Sequence, residues 1–166
     1  MDIKKCARLS MLTAIAILFN IIESFIPFFY IPGIKIGLAN IIIVAVLYLY
    51  GVKEAFYVSI LRIIVVGLLR TGLFSTTFLF SLAGAVLSLT AMSVLKKLNL
   101  FSIIGISMIG SIFHSIGQLL MAYVLLKNNS VYFYLPFLMI LSLFTGVFTG
   151  MISKQIVKSL QKEVVL

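Results

Sequence analysis

The sequence predicts an all-α integral membrane protein that forms one domain over residues 1–166. Hydrophobic residues make up 63% of the chain and charged residues 10%, whereas soluble domains are about half apolar and a quarter charged. The apolar residues occur in helix-length runs, and about 20 such residues cross a bilayer. All Lys and Arg residues except Arg62 lie between these runs or at their ends, and they form no basic stripe with interleaved aromatic residues. The net charge of +9 therefore does not indicate nucleic acid as a partner.

Six transmembrane helices are predicted at about residues 9–28, 37–50, 54–70, 74–95, 101–126 and 132–157. The first is interpreted as a retained helix and not a signal peptide, because Asn20 and Glu23 interrupt its end and no small-residue cleavage site follows. Pro27 and Pro32 then stop that helix, since proline removes a backbone donor. The second and third helices are short for a bilayer core of about 30 Å. Short stretches that hold Gly, Lys or Asn separate the later helices.

The distribution of basic residues predicts the orientation. With the N-terminus in the cytoplasm, nine Lys and Arg residues lie at inner helix ends and three at outer ends. The inner residues are Lys4, Lys5, Arg8, Lys53, Lys96, Lys97, Lys154, Lys158 and Lys162. The outer residues are Lys35, Arg70 and Lys127. Because cytoplasmic loops carry the excess of Lys and Arg, both termini are predicted to be cytoplasmic.

The sequence lacks the residue sets that independent catalysis requires. No phosphate-binding G-x-x-x-x-G-K-[ST] motif is present, and Asp2 is the only aspartate. An aspartate-rich metal cluster or a Ser-His-Asp set cannot be built from one terminal aspartate. One cysteine and one histidine cannot form a classical zinc site. The chain is therefore expected to be no enzyme on its own, with no metal and no cofactor.

Polar side chains at the outer ends and in the middle of the predicted helices form the candidate substrate-binding site. The candidates are Asn20, Glu23, Lys35, Asn40, Arg62, Arg70, His114 and Gln118. Ionisable groups inside a membrane are costly and indicate function by default. The three cations outnumber the single carboxylate, so the ligand is expected to be anionic.

Each candidate also has a structural interpretation. Arg62 and Glu23 can form an interhelical ion pair that fixes the packing. The other two cations can extend outward to the membrane interface, and the amide side chains can join neighbouring helices. His114 can be a neutral packing residue bonded to Ser111 or to a backbone carbonyl.

Small residues spaced four apart indicate faces where helices approach closely. Such pairs include Gly146 and Gly150, and most of the pairs are expected to serve internal packing. Ala7, Ser10 and Ala14 lie together on one face of the first helix.

Several segments resemble one bacterial family. They are PGIKIGLAN at residues 32–40, LYLYGVKEAF at 47–56, Leu61-Arg62, FSLAGA at 80–85 and HSIGQL at 114–119. The family is the Gx transporter family, also labelled heptaprenyl diphosphate synthase component I. It resembles the substrate-binding S components of energy-coupling factor (ECF) transporters, which are six-helix proteins that hold small molecules in an outward cavity. The S components dock on a transmembrane subunit with two ATPases through small residues on helix one. The resemblance therefore implies a multi-pass protein of a bacterial cell membrane in which Ala7, Ser10 and Ala14 dock on a partner protein.

The resemblance leaves two functions open. The favoured one is a binding subunit for uptake of a small anionic or amphipathic molecule, such as a vitamin-like compound, a flavin, or a quinone or isoprenoid precursor. The alternative is a non-catalytic membrane subunit, component I, of a polyprenyl diphosphate synthase or quinone-biosynthesis system.

Overall fold

The fold consists of six α-helices in the part of the chain that the structure describes. The structure is a computed structural model that describes residues 3–25 and 37–164. The helices are α1 (Ile3–Phe25), α2 (Leu38–Leu49), α3 (Val52–Val66), α4 (Thr76–Leu98), α5 (Ile103–Leu126) and α6 (Leu135–Val164). A π-helical turn at Gly67–Thr71 extends α3, and a 3-10 turn at Asn129–Tyr134 precedes α6. The described residues include no β-strand, so the predicted all-helical class is confirmed.

Four helices have the length and composition to cross a membrane. They are α1 over Ile3–Glu23, α4, α5 and the stretch Tyr132–Gln161 that contains most of α6. At a rise of about 1.5 Å per residue, the 12 residues of α2 fall short of the bilayer core. The class is thus that of a membrane protein, while the number of spans and the orientation stay predictions.

Short polar sequences set the helix ends. The Ser75 hydroxyl accepts a hydrogen bond from the Phe78 N–H at 3.2 Å, and Ser102 does the same for Gly105 at 3.3 Å. A serine before the first turn satisfies a donor that the helix itself leaves unpaired. At the other ends of these helices, Asn99 and Lys127 adopt a left-handed conformation that terminates α4 and α5.

The short helix α2 forms the centre of the bundle. Every residue from Ile41 to Leu47 is buried, which is expected for a helix that is apolar on all sides. The same core cluster contains Leu12 and Ala16 of α1, Val58 of α3 and Leu89 of α4. Because neighbouring helices enclose α2, little of its surface is exposed, although the helix is too short to cross the bilayer core.

The contacts of two lysine side chains show which helix ends lie together at one end of the bundle. Lys5 of α1 forms a 2.5 Å ion pair with Glu54 at the start of α3. Lys96 near the end of α4 donates to the backbone oxygen of Leu47 at 2.5 Å and lies 4.9 Å from the centre of the Tyr48 ring. The start of α1, the end of α2, the start of α3 and the end of α4 therefore share one end, which we call the basic end.

Candidate functional site

A polar cavity lies in the half of the bundle opposite the basic end. The volume of the cavity is about 50 Å³, which is room for a few water molecules. The lining residues come from all six helices and Gly37: Asn20, Glu23, Gly37, Ala39, Asn40, Arg62, Ser81, Ser111, His114, Ser115, Gln118, Leu138, Leu141, Ser142 and Thr145. Most carry a hydrogen-bonding group, so the cavity suits a polar ligand group.

Arg62 is the one cation among these lining residues. It lies on α3 with 4% of its surface exposed. Within the described part of the chain, its Nε atom is buried and makes no hydrogen bond. A guanidinium presents five donors in a fixed fork, and one of them, the Nε–H, has no acceptor within the described residues.

Glu23 closes the cavity from α1. Its side chain is buried, and its Oε1 accepts a hydrogen bond from the Gly37 N–H at 2.5 Å. Gly37 precedes α2 with a φ of 84°, a backbone conformation that glycine adopts without strain. The carboxylate thus lies at the positive end of the α2 dipole, and it also attracts Arg62 electrostatically.

Helix α5 contributes His114 and Gln118, one turn apart on the same face. Gln118 is buried, and the His114 ring packs against Gly84 of α4. A Cβ added at Gly84 would lie 2.9 Å from both Cε1 and the backbone oxygen of His114. The glycine is therefore what allows this imidazole to lie between α4 and the cavity.

Hydroxyl groups of α5 and α6 form a side of the cavity that sequence analysis missed. The Ser115 and Ser142 hydroxyls lie 2.5 Å apart, and Ser142 donates to the Leu138 carbonyl at 2.6 Å. Thr145 donates to the carbonyl of Ser142 at 3.1 Å. The available signal was the spacing of Ser142, Thr145 and Thr149 along one face of an otherwise apolar α6.

The structure brings six of the eight predicted site residues to this cavity: Asn20, Glu23, Asn40, Arg62, His114 and Gln118. Lys35 lies outside the described residues. Arg70 is exposed and lies outside the cavity lining, where it donates to the Ile21 carbonyl at 3.2 Å and stacks 4.1 Å from the centre of the Phe25 ring. This arginine joins the end of the π-helical turn to α1.

The predicted docking residues lie on a different part of the molecule. Ala7, Ser10 and Ala14 are exposed on α1, toward the basic end. The pair Gly146 and Gly150, by contrast, packs inside the bundle, where added Cβ atoms would approach the Cα atoms of Met108 and Ile104. The described residues contain no group of three His, Cys, Asp or Glu side chains that could hold a metal ion.

A family model covers most of the chain. The model for heptaprenyl diphosphate synthase component I matches residues 12–156. The chain belongs to this family. The sequence motifs indicated the same family, under its other name, the Gx transporter family. The matched region includes all eight candidate site residues, six of which line the cavity. No curated protein and no solved structure matches the chain.

Proposed function

We propose that this protein binds a small anionic ligand in the polar cavity and acts as an S-component-like subunit for its uptake. The observation that supports this proposal is the buried cation Arg62, which lines the cavity and whose Nε makes no hydrogen bond within the described residues. The energy for uptake would come from a separate ATPase module, since this sequence contains no nucleotide-binding motif.

The cost of burying Arg62 favours a bound anion. An arginine at the centre of a membrane helix costs at least about 2.5–3.5 kcal/mol on insertion scales. Glu23 offsets part of that cost, but its carboxylate also accepts the Gly37 N–H at the start of α2. A carboxylate or phosphate group in the cavity would receive the remaining donors of the guanidinium fork. Hydroxyl groups such as Ser115 and Ser142 would complete its hydrogen bonds.

The position of the cavity fits uptake from outside the cell. It lies opposite the basic end, and the positive-inside rule assigns the basic end to the cytoplasm. The ligand would then enter from the outer side, and the exposed Ala7, Ser10 and Ala14 would contact the transmembrane subunit from within the bilayer. Candidate ligands are vitamin-like compounds, flavins, and quinone or isoprenoid precursors, in a bacterial cell membrane.

The family description favours a second candidate. As component I of a heptaprenyl diphosphate synthase, the protein would be a non-catalytic membrane subunit, and the same Arg62 would bind a diphosphate group. Both candidates require anion binding at the cavity. They differ in the partner, which is an ATPase module in the first and a soluble synthase subunit in the second.

Removal of the Arg62 charge tests ligand binding. Arg62→Gln protein, purified in mild detergent and examined by native mass spectrometry, should lose the small-molecule adduct that wild-type protein retains. Arg70→Gln is the matched control, because it removes an arginine from the same helical segment but outside the cavity. Equal adduct occupancy in wild type and Arg62→Gln would exclude the cavity as the site.

A further inference from the structure

A second pocket lies beside the polar cavity and differs from it in chemistry. The volume of this pocket is about 70 Å³. The lining residues are Asn20, Ile63, Val66, Gly67, Thr71, Thr77, Phe78 and Ser81. None of these lining residues carries a charge. We call it the side pocket.

The side pocket and the polar cavity share two lining residues. Asn20 of α1 and Ser81 of α4 line both spaces. The two spaces therefore adjoin at two uncharged polar side chains. On α3, Ile63 and Val66 of the side pocket follow Arg62 within about one helical turn. A ligand group bound to Arg62 is thus adjacent to an apolar space on the same helix.

The backbone around the side pocket departs from regular α-helix. The π-helical turn Gly67–Thr71 supplies two of the lining residues, and π-helical turns occur frequently at functional sites. A Cβ at Gly67 would lie 2.8 Å from Cδ2 of Phe78, so the glycine lets the aromatic ring approach the turn. Thr77 is exposed, which leaves this part of the pocket accessible from outside the protein.

We propose that the side pocket binds the apolar part of the same ligand whose anionic group contacts Arg62. The ligand is then amphipathic, with a compact anionic head in the polar cavity and an apolar or isoprenoid group among Ile63, Val66 and Phe78. Asn20 and Ser81 contact the junction between the two parts. This inference rests on the proposed function, because it takes Arg62 as the anion-binding residue.

Two probes that share a head group separate the roles of the two spaces. Inorganic pyrophosphate carries the head alone, and geranyl diphosphate adds an apolar chain. With wild-type protein in nanodiscs, geranyl diphosphate should bind at least about tenfold more tightly, since burying several methylene groups contributes that much affinity. Arg62→Gln should weaken both probes.

Thr77, which is exposed and lines the side pocket, is the residue whose substitution tests this pocket. Thr77→Phe should fill the pocket from its open side and lower the affinity for geranyl diphosphate by about tenfold, toward that of pyrophosphate, without changing pyrophosphate binding. Thr76→Phe is the control, because Thr76 is also exposed at the start of α4 but does not line the pocket. Thermal unfolding of each variant checks that it is folded.

The outcomes distinguish this inference from the proposed function. If both probes bind through Arg62 with equal affinity, or if Thr77→Phe and Thr76→Phe bind geranyl diphosphate alike, the side-pocket assignment is wrong and anion binding stands. If neither probe shows binding that depends on Arg62, both the assignment of Arg62 as the anion-binding residue and the side-pocket assignment are wrong.

Discussion

At the residue scale, the opposite charges of Arg62 and Glu23 dominate the polar cavity. Both side chains are buried, and each would be costly alone in a low-dielectric interior. Glu23 is stabilised twice, by the Gly37 N–H and by the attraction of Arg62. Arg62 has its electrostatic partner on a different helix, so the pair connects α1, α2 and α3 around the cavity.

A double-mutant cycle measures the coupling of these charges. Removing one partner of a buried pair costs about 3–5 kcal/mol, and water in the cavity should reduce this cost. Glu23→Gln keeps an acceptor for the Gly37 N–H but removes the charge, so we expect a loss of about 1–3 kcal/mol of stability. Arg62→Gln should lose a similar amount, and the double variant should recover much of it. Thermal unfolding in detergent without added ligand measures all four proteins.

Additive losses in that cycle would contradict the coupling. In that case Arg62 and Glu23 contribute to stability independently. Any effect of Arg62→Gln on ligand binding would then come from direct contact between Arg62 and the ligand. Arg62→Lys gives a further comparison. It keeps the charge for Glu23 but lacks the planar fork that binds an anion with two parallel hydrogen bonds.

At the element scale, close glycine contacts hold α4, α5 and α6 together. A Cβ at Gly117 would lie 2.6 Å from the backbone oxygen of Ala83, so α5 crosses α4 at backbone contact there. This crossing holds both His114 and Gln118 at the cavity, since they flank Gly117 on α5. Small residues at such crossings are the usual means by which membrane helices approach closely.

Substitution of one glycine tests this crossing. Gly117→Ala should destabilise the protein by about 1–3 kcal/mol, because the neighbouring backbone must move to admit the methyl group. Gly105→Ala on the same helix is the control. Its Cβ would meet Phe101 at 3.5 Å, an ordinary contact, and alanine favours helix over glycine by about 1 kcal/mol. Equal unfolding temperatures for the two variants would show that α4 and α5 can move apart at this crossing without a loss of stability.

The sequence predicted the helical elements better than their surroundings. Apolar runs and proline positions marked the six helices, because helix formation depends on local composition. The central position of α2 was not predicted, since its uniformly apolar sequence is also compatible with contact to lipid. The π-helical turn after α3 was missed for a similar reason, because its residues Gly67–Thr71 carry no pattern that separates π from α geometry.

The candidate site was predicted in part for a related physical reason. Charged and amide side chains such as Arg62 and Gln118 are conspicuous in an apolar sequence, so the sequence identified them as candidates, and both line the cavity. Ser142 and Thr145 are small hydroxyl residues that also occur in ordinary helix packing, so their role depends on tertiary position. Arg70 was assigned to the cavity from its helical spacing to Arg62, but the π-helical turn changes that spacing.

At the scale of the whole molecule, the two ends of the bundle have different chemistry. The basic end carries Lys5, Lys53, Lys96 and Lys97, and the opposite half contains the polar cavity and the side pocket. The exposed face of α1 with Ala7, Ser10 and Ala14 extends from the basic end to the middle of the helix. The proposed ligand-binding site and the proposed docking face therefore lie on separate parts of the molecule.

Substitution on the docking face tests both the partner and its position. Ala14 is exposed at the middle of α1, where the bulky side chain of Ala14→Trp should block close helix contact without disturbing the core. Val86→Trp is the matched control, because Val86 is exposed near the middle of α4. Affinity purification in mild detergent should recover a large transmembrane subunit and ATPases with wild type and Val86→Trp, and strongly reduced amounts with Ala14→Trp.

Recovery of a soluble aspartate-rich synthase would instead favour the component I function, and equal recovery of the same partner with Ala14→Trp would place docking on another face. Because Ala14 lies outside both ligand-binding spaces, ligand retention by the Ala14→Trp protein would separate a docking defect from a loss of the cavity.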